Sequence, residues 1–248
     1  MSTSPQVEAR FAVEAAGAGW TPTHALADPT SAALTDLLAT WRTTRLASDA
    51  VAASLMLLEY TRVLAWPVLA CALRHGTWLD PALANVRLDG GAPRLRLGFA
   101  RGPQPGPADV ADRVLPALLD RHLDPLVAAL RARTRAGRRT LWSDVAAGIA
   151  GGYLALSWTR TDPAHYVDAA RAALSADPRL HGLVDVMVGE QGGARWMRVV
   201  RRGCCHAFRC GPPHAHFCGT CPLADEAVRQ ERFENAAAHY RELTAGQR

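Results

Sequence analysis

Between Val51 and Leu73 lies the longest apolar stretch of the chain, and it narrows the possible folds more than any other feature. Glu59, Arg62 and Pro67 interrupt it and would be costly in hydrocarbon, so it reads as a buried core helix, with peripheral contact at a membrane surface left open. Ser48 is placed to cap its start, and the helix is expected to run to about Arg74.

The other elements have to cover that helix. Leu34, Leu37, Leu38 and Trp41 recur at helical spacing within residues 31 to 46. On either side of GGAP, the segments NVRLD and RLRLGFA alternate apolar and polar residues, which predicts a hairpin near 83–100 and is the best β signal in the chain. A Pro/Gly linker over 102–107 precedes leucines 115, 118, 119, 123, 126 and 130, which suggest a helix or a pair kinked around Pro116 and Pro125. Further helices are expected over Leu141 to Trp158 and over 163–174, the latter opened by Asp162 and Pro163; Gly189 to Gly193 reads as a loop.

At 248 residues, 49% apolar and 21% charged, the chain has the size and composition of an ordinary globular protein. The first ten residues lack a basic start followed by an apolar run, so a cytoplasmic location is expected, with association at the inner face of the membrane left open. The fold class expected is α+β, mainly helical. A helical body over 1–193 carries a small antiparallel hairpin, and a C-terminal cysteine-rich metal-binding segment with a closing polar helix occupies 194–248.

Chemistry concentrates in that last segment. Five of the six cysteines fall in RRGCCHAFRCGPPHAHFCGTCPL, at positions 204, 205, 210, 218 and 221. CGTC puts two thiolates on one turn, within reach of a single metal. Cys204 and Cys205 form a second pair, which needs a local kink because neighbouring side chains on a regular strand point to opposite faces; Gly203 is suited to provide it. A reducing cytoplasm disfavours disulfides. His206, His214 and His216 suit tetrahedral zinc as well, so spacing leaves zinc and iron-sulfur open. The net charge of +5 is local, because Arg195, Arg198, Arg201, Arg202 and Arg209 share a stretch without acids.

The segment resembles the C-terminal signature of FhuF-like ferric siderophore reductases: an arginine pair, vicinal cysteines, an aromatic-bearing loop and C-x-x-C-P. Those elements are Arg201, Arg202, Cys204, Cys205, Phe208, Arg209, Cys218, Cys221 and Pro222. Weaker similarity extends to LWSDVAAGIAGG and to LDPALANVRLDGGAPRLRLG. The resemblance implies a [2Fe-2S] cluster on Cys204, Cys205, Cys218 and Cys221, a ferric siderophore as substrate, and an electron donor such as a ferredoxin or reductase, without nucleic acid as a partner. Two features depart from the pattern. Twelve residues rather than ten separate the cysteine pairs, and Cys210 is an additional thiol that competes as a ligand, chiefly with Cys205.

An all-thiolate cluster would carry a charge of about −2 when oxidised and about −3 when reduced, so Arg198, Arg201, Arg202 and Arg209 are candidates for tuning its potential or docking substrate. His206 is a candidate ligand or hydrogen-bond donor to a ligand. Trp196, Phe208, His214 and His216 flank the segment, more in keeping with packing or loop surface than with a pocket. Cys71 reads as core, and Glu59 with Arg62 as an internal pair. Two other classes remain: a zinc or iron-sulfur regulator contacting nucleic acid through its arginines, and an iron-sulfur carrier serving another oxidoreductase.

Overall fold

The structure is a computed structural model, and it describes residues 12–89, 95–106, 109–159, 163–212 and 217–245. Two serines begin its first long helices. Ser31 and Ser48 have extended backbones, and their hydroxyls accept the N–H of Leu34 and Val51, which meets part of the hydrogen-bonding demand of a helix start. Helix α1 (Ala32–Arg45) ends where Leu46 turns left-handed, at φ 50°. Helix α2 (Asp49–His75) is long and apolar enough to cross a membrane, but most of its apolar length is buried within the fold.

A short strand β1 (Thr21–Pro22) precedes these helices, and β2 (Thr77–Trp78) follows them. The expected hairpin forms as β3 (Val86–Asp89) and β4 (Arg96–Phe99), antiparallel with Val86 opposite Phe99; its turn lies outside the described residues. β1 adds to the free edge of β3, and β2 pairs with β5 (Gln104–Pro105). In β3, buried and half-buried residues alternate as a half-covered strand requires.

The leucine-rich region stays helical through both prolines. α3 (Leu115–Leu118) and α4 (Asp124–Thr134) are each preceded by a wider π-type turn, over Val110–Val114 and Leu119–Leu123. The second turn carries His122, which is fully buried. Its Nδ1 lies 2.5 Å from the Pro81 carbonyl, which only accepts, so the proton sits on Nδ1 and Nε2 accepts the Tyr60 hydroxyl at 2.6 Å. Burial pushes the His122 pKa down to about 4, against the Pro81 carbonyl and the charge of Asp80.

Helix α5 (Arg138–Ser157) packs along α2. At their crossing a Cβ on Gly148 would come within 2.6 Å of the Thr61 Cβ, so a larger residue would force the helices apart. Helix α6 (Ala164–Ala176) starts after Pro163 rather than at it, and Asp162 lies outside the described residues.

The longest strands meet at the glycine stretch that the sequence suggested as a loop. Strands β6 (Val184–Gln191) and β7 (Ala194–Arg201) pair antiparallel over their full length, joined by Gly192 and Gly193 at φ 57° and 73°. Those left-handed values match a two-residue hairpin turn, so the glycines at 189–193 mark a tight reversal and not a long loop. The boundary that the sequence suggested between 193 and 194, from body to cysteine segment, falls inside this hairpin, where the turn meets β7. A closing helix α7 (Glu226–Ala245) packs on β6. Trp158, Trp196 and Tyr240 meet edge to face, and the Trp158 indole N–H donates to the Met197 carbonyl at 2.9 Å, joining α5, β7 and α7. The architecture is α+β and mainly helical, with small antiparallel sheets.

Candidate metal centre

Strand β7 delivers the chain to the cysteines. At its end the Arg201 N–H donates to the Thr220 carbonyl at 3.0 Å and the Arg202 N–H to Leu183 at 2.9 Å, which ties the CGTC turn to the sheet. Within that turn the Cys221 N–H donates to the Cys218 carbonyl at 3.0 Å. Past β7 the backbone leaves the strand before reaching Cys204, and His206 makes the sharp turn, at φ 57°. The chain bends at Arg202 and Gly203, the kink expected there, and Gly203 has a second part as well. A Cβ there would sit 2.2 Å from the Ser143 Oγ, so its lack of a side chain lets the segment close onto α5.

Four thiols interact across the two loops. Cys205 and Cys218 share a hydrogen bond that raises the Cys205 pKa, as burial also does, and lowers that of Cys218, with Thr220 and Arg201 adding to the lowering. Burial raises Cys204, and the neighbouring Cys221 and Cys218 push it further up, against an N–H donated by His206 to its Sγ at 3.3 Å. Cys205 and Cys221 are buried, while Cys204 and Cys218 are partly open. Cys210 is buried beside the end of α1: the Gly211 N–H donates to the Leu46 carbonyl at 3.0 Å, and Arg45 is the charge acting on the thiol.

As they stand, no three or more His, Cys, Asp or Glu side chains among the described residues converge tightly enough to hold a metal ion. The donors nevertheless suit an iron-sulfur group, because they are four thiols on two loops and unpaired hydrogen-bonding groups surround them. The Arg201 Nε and Nη1, the Ser143 Oγ and the His206 Nδ1 are all buried without a hydrogen-bond partner among the described residues.

Arg201 is the unusual member. Its side chain is 1% exposed and pairs with Asp144, which is 0% exposed and also accepts the Ser54 hydroxyl at 2.5 Å. Burial raises the Asp144 pKa to about 7 in spite of Arg201 and Ser54. Burial works against the charge of Arg201, but Asp144, Cys205 and Cys218 outweigh it and hold the guanidinium charged. The sequence reading passed over Asp144 and Ser54. A usable signal existed, since Asp144 is the sole charged residue between Leu141 and Trp158.

Two of the remaining arginines find acids from distant parts of the chain. Arg198 reaches Glu226 at 2.8 Å and Gln230 at 2.9 Å, and Arg202 grips Asp185 with two nitrogens. Arg209 lies over the Phe208 ring. Phe208 and Phe217 stack loosely, 5.6 Å apart, and Phe217, Leu223 and Leu46 are exposed. Trp196 packs inside, Glu59 and Arg62 form their ion pair, and Cys71 is buried. His214 and His216 lie outside the described residues.

A family model described as ferric iron reductase FhuF-like transporter matches residues 54–180. No curated protein matches the chain. The matched span begins at Ser54 and contains Asp144; the cysteine segment lies beyond it.

Proposed function

The chain belongs to the FhuF-like ferric iron reductase family, and on that footing we propose that it frees iron from ferric siderophores by one-electron reduction, through a [2Fe-2S] cluster held by Cys204, Cys205, Cys218 and Cys221. The observation that carries this reading is the hydrogen bond from the Arg201 N–H to the Thr220 carbonyl, which holds the CGTC turn against the strand end that leads into Cys204 and Cys205, next to a buried arginine, in a member of a ferric reductase family.

When bound, the cluster supplies a one-electron carrier, taking an electron from a donor such as a ferredoxin or reductase and passing it to Fe(III). Oxygen-rich siderophores hold Fe(III) far better than Fe(II), so this electron loosens the iron and leaves the siderophore intact. The chain's own part is to hold the centre near a surface. Cys204 and Cys218 are partly open, and the exposed Phe217 and Leu223, beside CGTC in the chain, offer apolar surface against which a ferric complex can rest. Arg198 and Arg202 are engaged with acidic side chains, which supports a reading without nucleic acid. The expected setting is the cytoplasm, where a soluble donor can reach the centre.

The test is anaerobic reconstitution with iron and sulfide, followed by reduction and titration with hydroxamate, catecholate and citrate-type ferric complexes. Matched iron and sulfide contents, visible charge-transfer absorption and reoxidation with release of Fe(II) are expected. Tight zinc without sulfide, or a reduced protein that no ferric siderophore reoxidises, would overturn the proposal.

A further inference from the structure

We infer that Arg201 is the residue that sets the potential of this centre by donating hydrogen bonds to its sulfurs, and that Asp144 and Ser54 are the positioning residues that aim it. The inference rests on the cluster reading above. Three elements converge to fix one guanidinium: β7 ends at Arg201, α5 brings Asp144, and α2 brings Ser54. One nitrogen is taken by Asp144. The Nε and Nη1 are buried with no acceptor among the described residues, and a buried donor left unpaired is costly, more so when charged. Such an arrangement persists where an acceptor is supplied by something the chain binds. The Arg201 backbone N–H donates to the Thr220 carbonyl at 3.0 Å, inside the CGTC turn, so the buried side chain leaves the strand where the two cysteine loops meet; Cys205 and Cys218 act electrically on it there.

The chemistry of the acceptor follows from the geometry. A cluster held by four thiolates is an anion whose charge grows by one on reduction, so a fixed cation and N–H groups at its sulfurs favour the reduced form. Arg198 and Arg202 are ruled out for this part because Glu226, Gln230 and Asp185 occupy them. Asp144 leaves the guanidinium charged but removes its freedom to turn away, and the Ser54 hydroxyl holds the carboxylate in turn.

The test is the midpoint potential of the reconstituted full chain, read at confirmed iron and sulfide content. Arg201→Gln is expected to lower the equilibrium constant for reduction by about tenfold, which for a one-electron couple is about 59 mV. Because that variant strips Asp144 of its counter-ion, Arg201→Lys and Ser54→Ala are measured beside it. The lysine keeps the charge without the fork, and the alanine changes no charge at all, so a fall of about threefold or more in either reports the aim of the guanidinium. A purely structural part would lower stability or cluster content without moving the potential. Equilibrium constants for reduction that fall by less than about threefold in both variants, with intact clusters, overturn this inference alone. A wild-type protein that takes up no iron and sulfide overturns the cluster reading and this inference together.

Discussion

His122 should make the stability of the fold depend on pH in a defined window. In the unfolded chain it titrates near the ordinary value of about 6.5; in the fold burial holds it at about 4. The fold therefore binds the neutral imidazole, with Nδ1–H on the Pro81 carbonyl and Nε2 accepting from Tyr60. Above pH 6.5 both states are neutral there and nothing is lost. As the pH falls through 6.5 the unfolded chain takes up a proton that the fold refuses, and stability drops until about pH 4, where the fold takes it up as well. The gap from 6.5 to about 4, at about 1.4 kcal/mol per pH unit, comes to about 3 kcal/mol. Urea denaturation of wild type and of His122→Gln at half-unit steps from pH 7.5 to 4 isolates this residue, since the carboxylates contribute alike to both. The wild-type advantage should shrink by about 3 kcal/mol across that range. A difference that stays level between pH 7 and 4 would refute the buried neutral imidazole.

Other outcomes follow from the same packing. Gly148→Val would drive a side chain into Thr61 and should cost about 1–3 kcal/mol in thermal unfolding, without changing cluster uptake. Asp144→Ala leaves Arg201 buried without a counter-charge and should destabilise the metal-free protein by about 3–5 kcal/mol, whereas Asp144→Leu with Arg201→Met should recover most of that loss in the same denaturation assay. Serine in place of Cys204, Cys205, Cys218 or Cys221 should abolish or severely perturb bound iron and sulfide, and Cys210→Ser should retain both; a native spectrum in Cys205→Ser would overturn the ligand assignment.

How far the sequence could be read varied with the range of the interaction. Ser31 and Ser48 cap helices through bonds to residues three positions on, and the helices they open run as their patterns indicated. The β3–β4 hairpin was equally local and equally legible. Strand β6 was not, because a glycine lies within it and it is half-covered on both faces, so clean alternation is missing. Pairing with β7 along the whole length decided it, and such pairing becomes visible only when the two segments meet.

The same division holds at the cysteines. Their number, crowding and types are properties of the chain, and they alone pointed to a soft-metal site near the C-terminus. A one-dimensional pattern has no way to say which thiols meet, because that depends on two loops brought together at the end of β7; folding ties the CGTC turn to the strand end that leads into Cys204 and Cys205, and sets Cys210 beside the end of α1. Charge follows suit. Along the sequence five arginines stand without an acid nearby, yet in space Arg198, Arg201 and Arg202 are answered by Glu226, Asp144 and Asp185. Electrostatic attraction acts through distance and burial, neither of which exists until the helices and the hairpin have packed.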